Sequence, residues 1–111
     1  MSREISFQDP WCKVQQHSDN LECELLKEVS NRHPLYGCRA TPLAQRSDSD
    51  DVLFEITGAQ SPYAVVHLTW SGETESDPRW PHTIFFDSID AWVEECMLPD
   101  HEEYDSLEEA E

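Results

Sequence analysis

The sequence predicts an α+β domain in which an antiparallel sheet of three to four strands is flanked by an N-terminal and a C-terminal helix. The chain has 111 residues, the size of one small domain with a single core. Apolar residues recur with helical spacing near residue 25, alternate as in strands between residues 52 and 86, and return to helical spacing near residue 90. These observations predict the order helix, strands, helix.

The first helix is predicted in "DNLECELLKEVSNRHP", residues 19–34. Asp19 can cap its N-terminus, and Glu22, three residues on, completes a capping box. The helix should end before Pro34, because the residue preceding a proline is pushed out of the α region. Its predicted apolar face consists of Leu21, Leu25, Leu26 and Val29.

Four segments have strand character. "GCRATPLAQRS" (37–47) is the weakest, because Pro42 has no amide hydrogen and would confine the strand to a sheet edge. "DVLFEITG" (51–58) places Val52, Phe54 and Ile56 on one side and has turn compositions on both ends, which predicts an antiparallel meander. "YAVVHLTW" (63–70) is almost continuously apolar and is predicted as the central strand. "HTIFF" (82–86) is the fourth candidate.

A second helix is predicted in "DSIDAWVEECMLP", residues 87–99, with its N-cap at Asp87 or Ser88 and its stop at Pro99. Its inward positions are Ile89, Trp92, Val93 and Cys96 or Met97. A single domain is therefore expected over residues 1–99. Residues 100–111 carry seven acids and are expected to form a flexible acidic tail that can be removed with little loss of stability.

Charge divides the chain unequally. Residues 1–46 carry six acids and six bases, whereas residues 47–111 carry eighteen acids and a single base, Arg79, so that the whole net charge of −17 lies in the second part. A field of that sign repels nucleic acid and anionic membranes and attracts cationic proteins. We therefore expect a basic protein partner, with no direct nucleic-acid or membrane binding.

Composition and motifs exclude several other classes. No apolar run approaches the roughly 20 residues that cross a bilayer, and the N-terminus lacks a basic segment followed by an apolar one, so a cytoplasmic protein is expected. The four cysteines include no Cys-x-x-Cys pair and are expected to be free thiols in a reducing compartment. A phosphate-binding glycine loop, a nucleophile elbow and an EF-hand are all absent from the sequence, so no cofactor is predicted.

The segment between the last two predicted strands, "SGETESDPRWPHT" (71–83), is longer than a hairpin requires. It places Glu73, Glu75 and Asp77 near Trp80. A tryptophan among charges resembles a protein-binding hot spot. The alternative is that Trp80 folds back over the sheet as a lid on the core.

A second acidic segment, "SDSDD" (47–51), lies between two strand candidates. Its acids can solvate a turn, or they can join the longer loop in contacting a cationic partner. The candidate partner-binding set is Asp48, Asp50, Asp51, Glu73, Glu75, Asp77 and Trp80. Whether the two loops lie at the same or at opposite ends of the sheet stays open.

His67 is the residue on which an enzymatic alternative depends. In its strand it shares a face with Val65, and a lone strand histidine is more often a hydrogen-bonded structural residue than a base. A zinc site drawn from His67, His82, Cys38 or Cys96 has no recognisable spacing. Neither a catalytic residue nor a metal ligand is therefore assigned.

The block from "DDVLFEIT" through "YAVVHLTWSG" and "WPHTIFF" to "DAWVEECM" resembles small uncharacterised bacterial proteins. The wider pattern, a compact acidic α+β domain without catalytic motifs, is similar in type to immunity proteins of bacterial toxin systems. That similarity implies a non-enzymatic inhibitor whose carboxylates cover the cationic active site of a toxin such as a nuclease.

Three functional hypotheses follow. The first is this immunity-type inhibitor, with a phage-type nucleic-acid mimic directed at a host defence protein as a variant that uses the same electrostatics. The second is a generic interaction domain whose acidity serves solubility. The third is a small histidine-dependent enzyme or metal-binding protein. The sequence favours the first and leaves the partner and the oligomeric state open.

Overall fold

The computed structural model describes residues 7–14, 19–70, 74, 77 and 80–109, with side chains for all of these except 19 and 105–109. Within this part of the chain, one antiparallel sheet has five strands arranged in sequence order. The strands are β1 (Trp11–Lys13), β2 (Arg39–Arg46), β3 (Asp51–Thr57), β4 (Tyr63–His67) and β5 (His82–Phe86). The α+β class is confirmed, and the sheet has one strand more than the largest predicted number.

The additional strand is β1, which was not predicted because it is only three residues long and directly follows Pro10. Its presence means that β2 is not an edge strand, contrary to the interpretation of Pro42. β1 pairs only with residues 44–46, and the register of β2 against β3 shifts between Pro42 and Ala44. Pro42 is accommodated because it lies beyond the end of β1 and beside this irregularity.

Two helical regions cover the two faces of the sheet. Helix α1 (Asp19–Glu28) lies on one face, and a C-terminal helix covers part of the other. The C-terminal helix consists of α2 (Ile89–Trp92), a π-helical segment (Val93–Met97) and α3 (Leu98–Glu109). Ser88 caps α2, since its hydroxyl accepts the Ala91 N–H at 3.0 Å, as one of the two predicted caps requires.

The prediction that Pro99 ends the second helix is wrong. A proline inside an α-helix removes one hydrogen bond, and its ring collides with the carbonyl four residues earlier. The π-helical segment lies directly before Pro99, where Leu98 donates its N–H to the carbonyl of Val93, five residues back. This wider turn provides room for the ring, and the helix continues to Glu109.

Each face of the sheet has its own apolar core. The core beneath α1 includes Leu25, Val29, Val52, Phe54, Ile56, Ala64, Val66 and Leu68. The core beneath the C-terminal helix includes Trp11, Ala44, Leu53, Val65, Phe86, Trp92 and Met97. Because β3 and β4 contribute to both cores, neither shows a clear apolar and polar alternation.

Two further details differ from the sequence expectation. The central strand is β3, which lies between β2 and β4, whereas the more continuously apolar β4 is fourth in the order. Leu26 was predicted on the apolar face of α1 but is 48% exposed, because Leu25 and Val29 already fill the contact with the sheet. None of the described helices has the length and apolar character that a bilayer-spanning segment needs.

The predicted boundary at residue 99 can be tested with two truncations. Asp100 accepts the indole N–H of Trp11 at 2.9 Å and lies 3.3 Å from the Arg46 guanidinium. Ending the chain after Pro99 removes this carboxylate, at a cost of about 2 kcal/mol, so we expect the Tm to fall by roughly 10 °C. Ending it after Tyr104 should leave the Tm almost unchanged. Equal Tm values for both truncations and the full chain would show that Asp100 contributes nothing.

Candidate functional site

The two acidic loops lie at the same end of the sheet. Asp51, at the start of β3, is paired with His67 at the end of β4, and His67 is paired with His82 at the start of β5. The β2–β3 turn (47–50) and the β4–β5 loop (68–81) therefore lie at the same end of the sheet. Leu68 joins them directly, since its N–H donates to the Asp50 carbonyl at 3.1 Å.

The β2–β3 turn is organised by short polar contacts. Asp48 accepts two hydrogen bonds from the Arg46 guanidinium, at 2.8 and 2.9 Å, and this interaction lowers the pKa of Asp48. The Asp51 carboxylate accepts a hydrogen bond from the Ser49 hydroxyl at 3.0 Å and lies 2.8 Å from Nδ1 of His67. Asp50 is exposed and makes no side-chain hydrogen bond or ion pair with another described residue. Its charge is thus the most available of the three.

An open cleft of about 250 Å³ adjoins this turn and extends the acidic surface onto α3. Arg46, Asp48, Asp100, Glu103 and Tyr104 line it. Three carboxylates surround one guanidinium, so the cleft has a negative charge excess. The sequence placed Asp100 and Glu103 in a tail, whereas the continued helix brings them against the acidic turn.

The described part of the β4–β5 loop is held by Glu28 and Lys27 of α1 and by His33. The Glu28 carboxylate accepts the N–H groups of Thr69 and Trp70, each at 2.8 Å. The Thr74 hydroxyl donates to the carbonyl of Lys27 at 2.8 Å. These contacts hold the first part of the loop on the α1 side of the sheet.

His33 provides the third attachment. Its Nδ1 accepts the Leu35 N–H at 3.0 Å, so its Nε2 carries the proton and donates to the Pro81 carbonyl at 2.9 Å. Burial lowers the pKa of His33 and keeps the imidazole neutral. His33 therefore positions Pro81, the residue that follows Trp80.

Glu28 belongs to a buried carboxyl pair. Its side chain is fully buried, and it shares a hydrogen bond with Glu24, one helical turn earlier and also buried. Burial and the contact with Glu24 raise the pKa of Glu28 to about 7, against the opposing effect of the Thr69 and Trp70 N–H groups. The pair therefore retains a proton near neutral pH.

An exposed apolar surface borders the acids. Trp80 is 44% exposed, with its ring centroid 6.4 Å from that of His82, and Ile84 is 50% exposed. His82 and Ile84 share the face of the sheet that carries His67. A lid on the core would be buried, so the exposure of Trp80 favours the alternative in which it contacts a partner.

The structure places part of the candidate partner-binding set at one end of the sheet. The two loops at this end carry Asp48, Asp50, Asp77 and Trp80, and Asp51 is at the start of β3. The backbone N–H of Trp80 donates to the Asp77 carbonyl at 3.0 Å. Glu73 and Glu75 lie outside the described residues. We name the surface formed by Asp48, Asp50, Asp51, Trp80, His82 and Ile84 the acidic end.

Of the four residues of the zinc alternative, His67 and His82 are cross-strand neighbours, whereas the two cysteines lie apart from each other. Cys38 packs on the α1 side of the sheet and Cys96 on the opposite side. Burial, followed by the nearby Asp100 charge, raises the pKa of Cys96 to about 12, so the thiol stays protonated. His67 is held by Asp51, and within the described ranges no three His, Cys, Asp or Glu side chains are grouped as metal ligands.

Comparisons with protein-family models, with curated proteins and with solved structures give no match.

Proposed function

We propose that this chain is a non-enzymatic binding protein that inhibits a cationic protein, of the immunity type, by covering a basic surface with its acidic end. The observation that carries the proposal is the convergence of the acidic β2–β3 turn and the Trp80-bearing loop at one end of the sheet. In an inhibitor of this type, carboxylates take the place of phosphates in the toxin active site. The negative field attracts the toxin, and an apolar anchor adds binding energy after contact.

Contacts at described residues of this end of the sheet support the proposal. Glu28, Lys27 and His33 hold the β4–β5 loop at Thr69, Trp70, Thr74 and Pro81, so these residues lose less entropy when the partner binds. Within the β2–β3 turn, Arg46 and His67 hold Asp48 and Asp51. Because Arg46 partly compensates the Asp48 charge, Asp50 and the field of the whole chain supply most of the attraction.

The four cysteines are free thiols, as expected for a protein of a reducing compartment. We place the inhibitor in the cytoplasm on this basis, where a producing cell needs protection from its own toxin.

Neutralising the acidic turn tests the proposal. Basic proteins captured on the immobilised wild-type chain are purified, and their association rates are measured by surface plasmon resonance at several salt concentrations. We expect the triple variant Asp48→Asn, Asp50→Asn, Asp51→Asn to associate roughly tenfold more slowly at low salt. The difference should shrink as salt rises, because salt at physiological ionic strength screens exposed charges that are more than about 8 Å apart.

A control variant separates location from total charge. Glu94, Glu95 and Glu102 are exposed on the C-terminal helix, and replacing all three with glutamine changes the net charge by the same amount. We expect the control to retain most of the association rate. If both triple variants slow association equally, or neither does, the acidic end is not the binding surface.

A further inference from the structure

The two edges of the sheet are protected very differently. At one edge, β1 is only three residues long and ends at the exposed Lys13. Short length and lysine are features that stop another chain from pairing with an edge strand. The opposite edge strand, β5, pairs in unbroken register over five residues, His82–Phe86, and contains no proline, lysine or bulge.

Among the described strands, β5 pairs only with β4, so its outer edge has no partner strand in this part of the chain. Every second residue of an edge strand directs its N–H and C=O away from the neighbouring strand. Ile84, at the middle of β5, is 50% exposed, so an apolar contact is available beside these backbone groups.

Two acidic side chains follow the C-terminal end of β5. Asp87 directly follows β5, is exposed and accepts the Ser61 hydroxyl at 3.2 Å, while Asp90 is exposed in the first turn of α2. The chain as a whole carries −17. This charge favours a cationic segment and disfavours a second copy of the same chain.

We propose that β5 is a docking edge at which a cationic, alternately apolar segment of the partner adds as a sixth strand. Backbone hydrogen bonds to β5 supply affinity, and the contact with Ile84 sets the register of the added strand. Basic side chains of the segment meet Asp87 and Asp90. The inference rests on the proposed function for the positive charge of the partner, and it adds the mode of binding.

A peptide pair tests this mode. The probe is an acetylated and amidated seven-residue peptide of alternating lysine and valine, added to the full chain. Its matched control carries N-methyl groups on two consecutive central residues, because consecutive amides of a strand point to opposite edges. The control keeps the charge and side chains, but whichever of its edges faces β5 loses one central hydrogen bond, which lowers affinity by about tenfold.

Amide hydrogen exchange and titration by NMR provide the readout. We expect the unmodified peptide to slow exchange of outward-facing amides within residues 82–86 and to bind about tenfold more tightly than the methylated peptide. Ile84→Lys should abolish most of this binding. Leu26→Lys, a lysine at a similarly exposed apolar position on α1, should not.

Three outcomes would overturn the inference. If both peptides bind equally and shifts are confined to residues 48–51, binding is electrostatic at the acidic turn, and the proposed function stands without strand addition. If the unmodified peptide does not bind, β5 is not a docking edge. If sedimentation shows a dimer without peptide, and Ile84→Lys dissociates it, the occupant is a second copy of this chain.

Discussion

Replacing Trp80 by alanine is expected to weaken binding of the basic partner by roughly 30-fold or more, through a faster dissociation rate. An aromatic anchor fills a pocket after the encounter complex has formed, so its loss leaves the association rate largely unchanged. Trp80 is 44% exposed, and the thermal stability of the variant should therefore stay close to that of the wild type. Surface plasmon resonance and calorimetry measure the two effects separately.

Trp70 provides a matched control, because it is also a tryptophan and is 47% exposed. Its backbone is held by Glu28 on the α1 side of the sheet, away from the face that carries His82. Trp70→Ala should leave the dissociation rate unchanged. A different pattern would contradict the assignment of Trp80: a stability loss of roughly 3 kcal/mol or more for Trp80→Ala would mean that Trp80 is a lid on the core.

The convergence of the two acidic loops could have been predicted from the sequence. In an antiparallel meander the connections alternate between the two ends of the sheet, so the β2–β3 and β4–β5 connections must share one end. The turn compositions around "DVLFEITG" predicted such a meander. Combining that order with the positions of the loops would have excluded the arrangement at opposite ends.

Other features could not be predicted from local pattern. Three residues following a proline carry no periodic signal, so β1 depends on the tertiary contact of Trp11 with Trp92, whose rings are 5.2 Å apart. The passage of the helix through Pro99 depends on a π-helical segment that has no sequence signature. Asp100 consequently resembled a tail residue, although it accepts the Trp11 indole N–H.

The buried acids of α1 illustrate the same difficulty. In the sequence, Glu24 and Glu28 resemble the solvated face of an amphipathic helix. Both are buried, because the chain leaving β4 passes beside the end of α1 and its N–H groups at Thr69 and Trp70 need acceptors. The loop that presents Trp80 therefore begins at a titratable pair.

Because of this pair, the stability of the protein is expected to depend on pH between about 4.5 and 7. The pKa of Glu28 is raised from its ordinary value of 4.5 to about 7, chiefly by burial and secondly by the hydrogen bond with Glu24. The folded state thus binds the proton more tightly than the unfolded state does. The resulting stabilisation is complete below pH 4.5 and is lost as pH rises through about 7, an effect of roughly 3 kcal/mol.

His33 has the opposite dependence and must be separated from this effect. Its pKa is lowered by burial, so its contribution is lost as pH falls below 6.5. The informative quantity is therefore the difference between the wild type and a variant altered only at the carboxyl pair. Urea denaturation at pH values from 5 to 8.5 gives the free energy of unfolding for each protein.

Glu24→Gln is the appropriate variant, because its amide can donate to Glu28 without a titratable proton. Glu28 then keeps both backbone N–H groups as an ionised carboxylate. We expect the variant to be more stable than the wild type at pH 8, by only part of this effect because burial still raises the pKa of Glu28, and to show slower amide exchange at Thr69 and Trp70. Glu94→Gln, which removes an exposed charge, should follow the wild-type profile. Parallel pH profiles for Glu24→Gln and the wild type would mean that the hydrogen bond with Glu24 does not contribute to the raised pKa of Glu28.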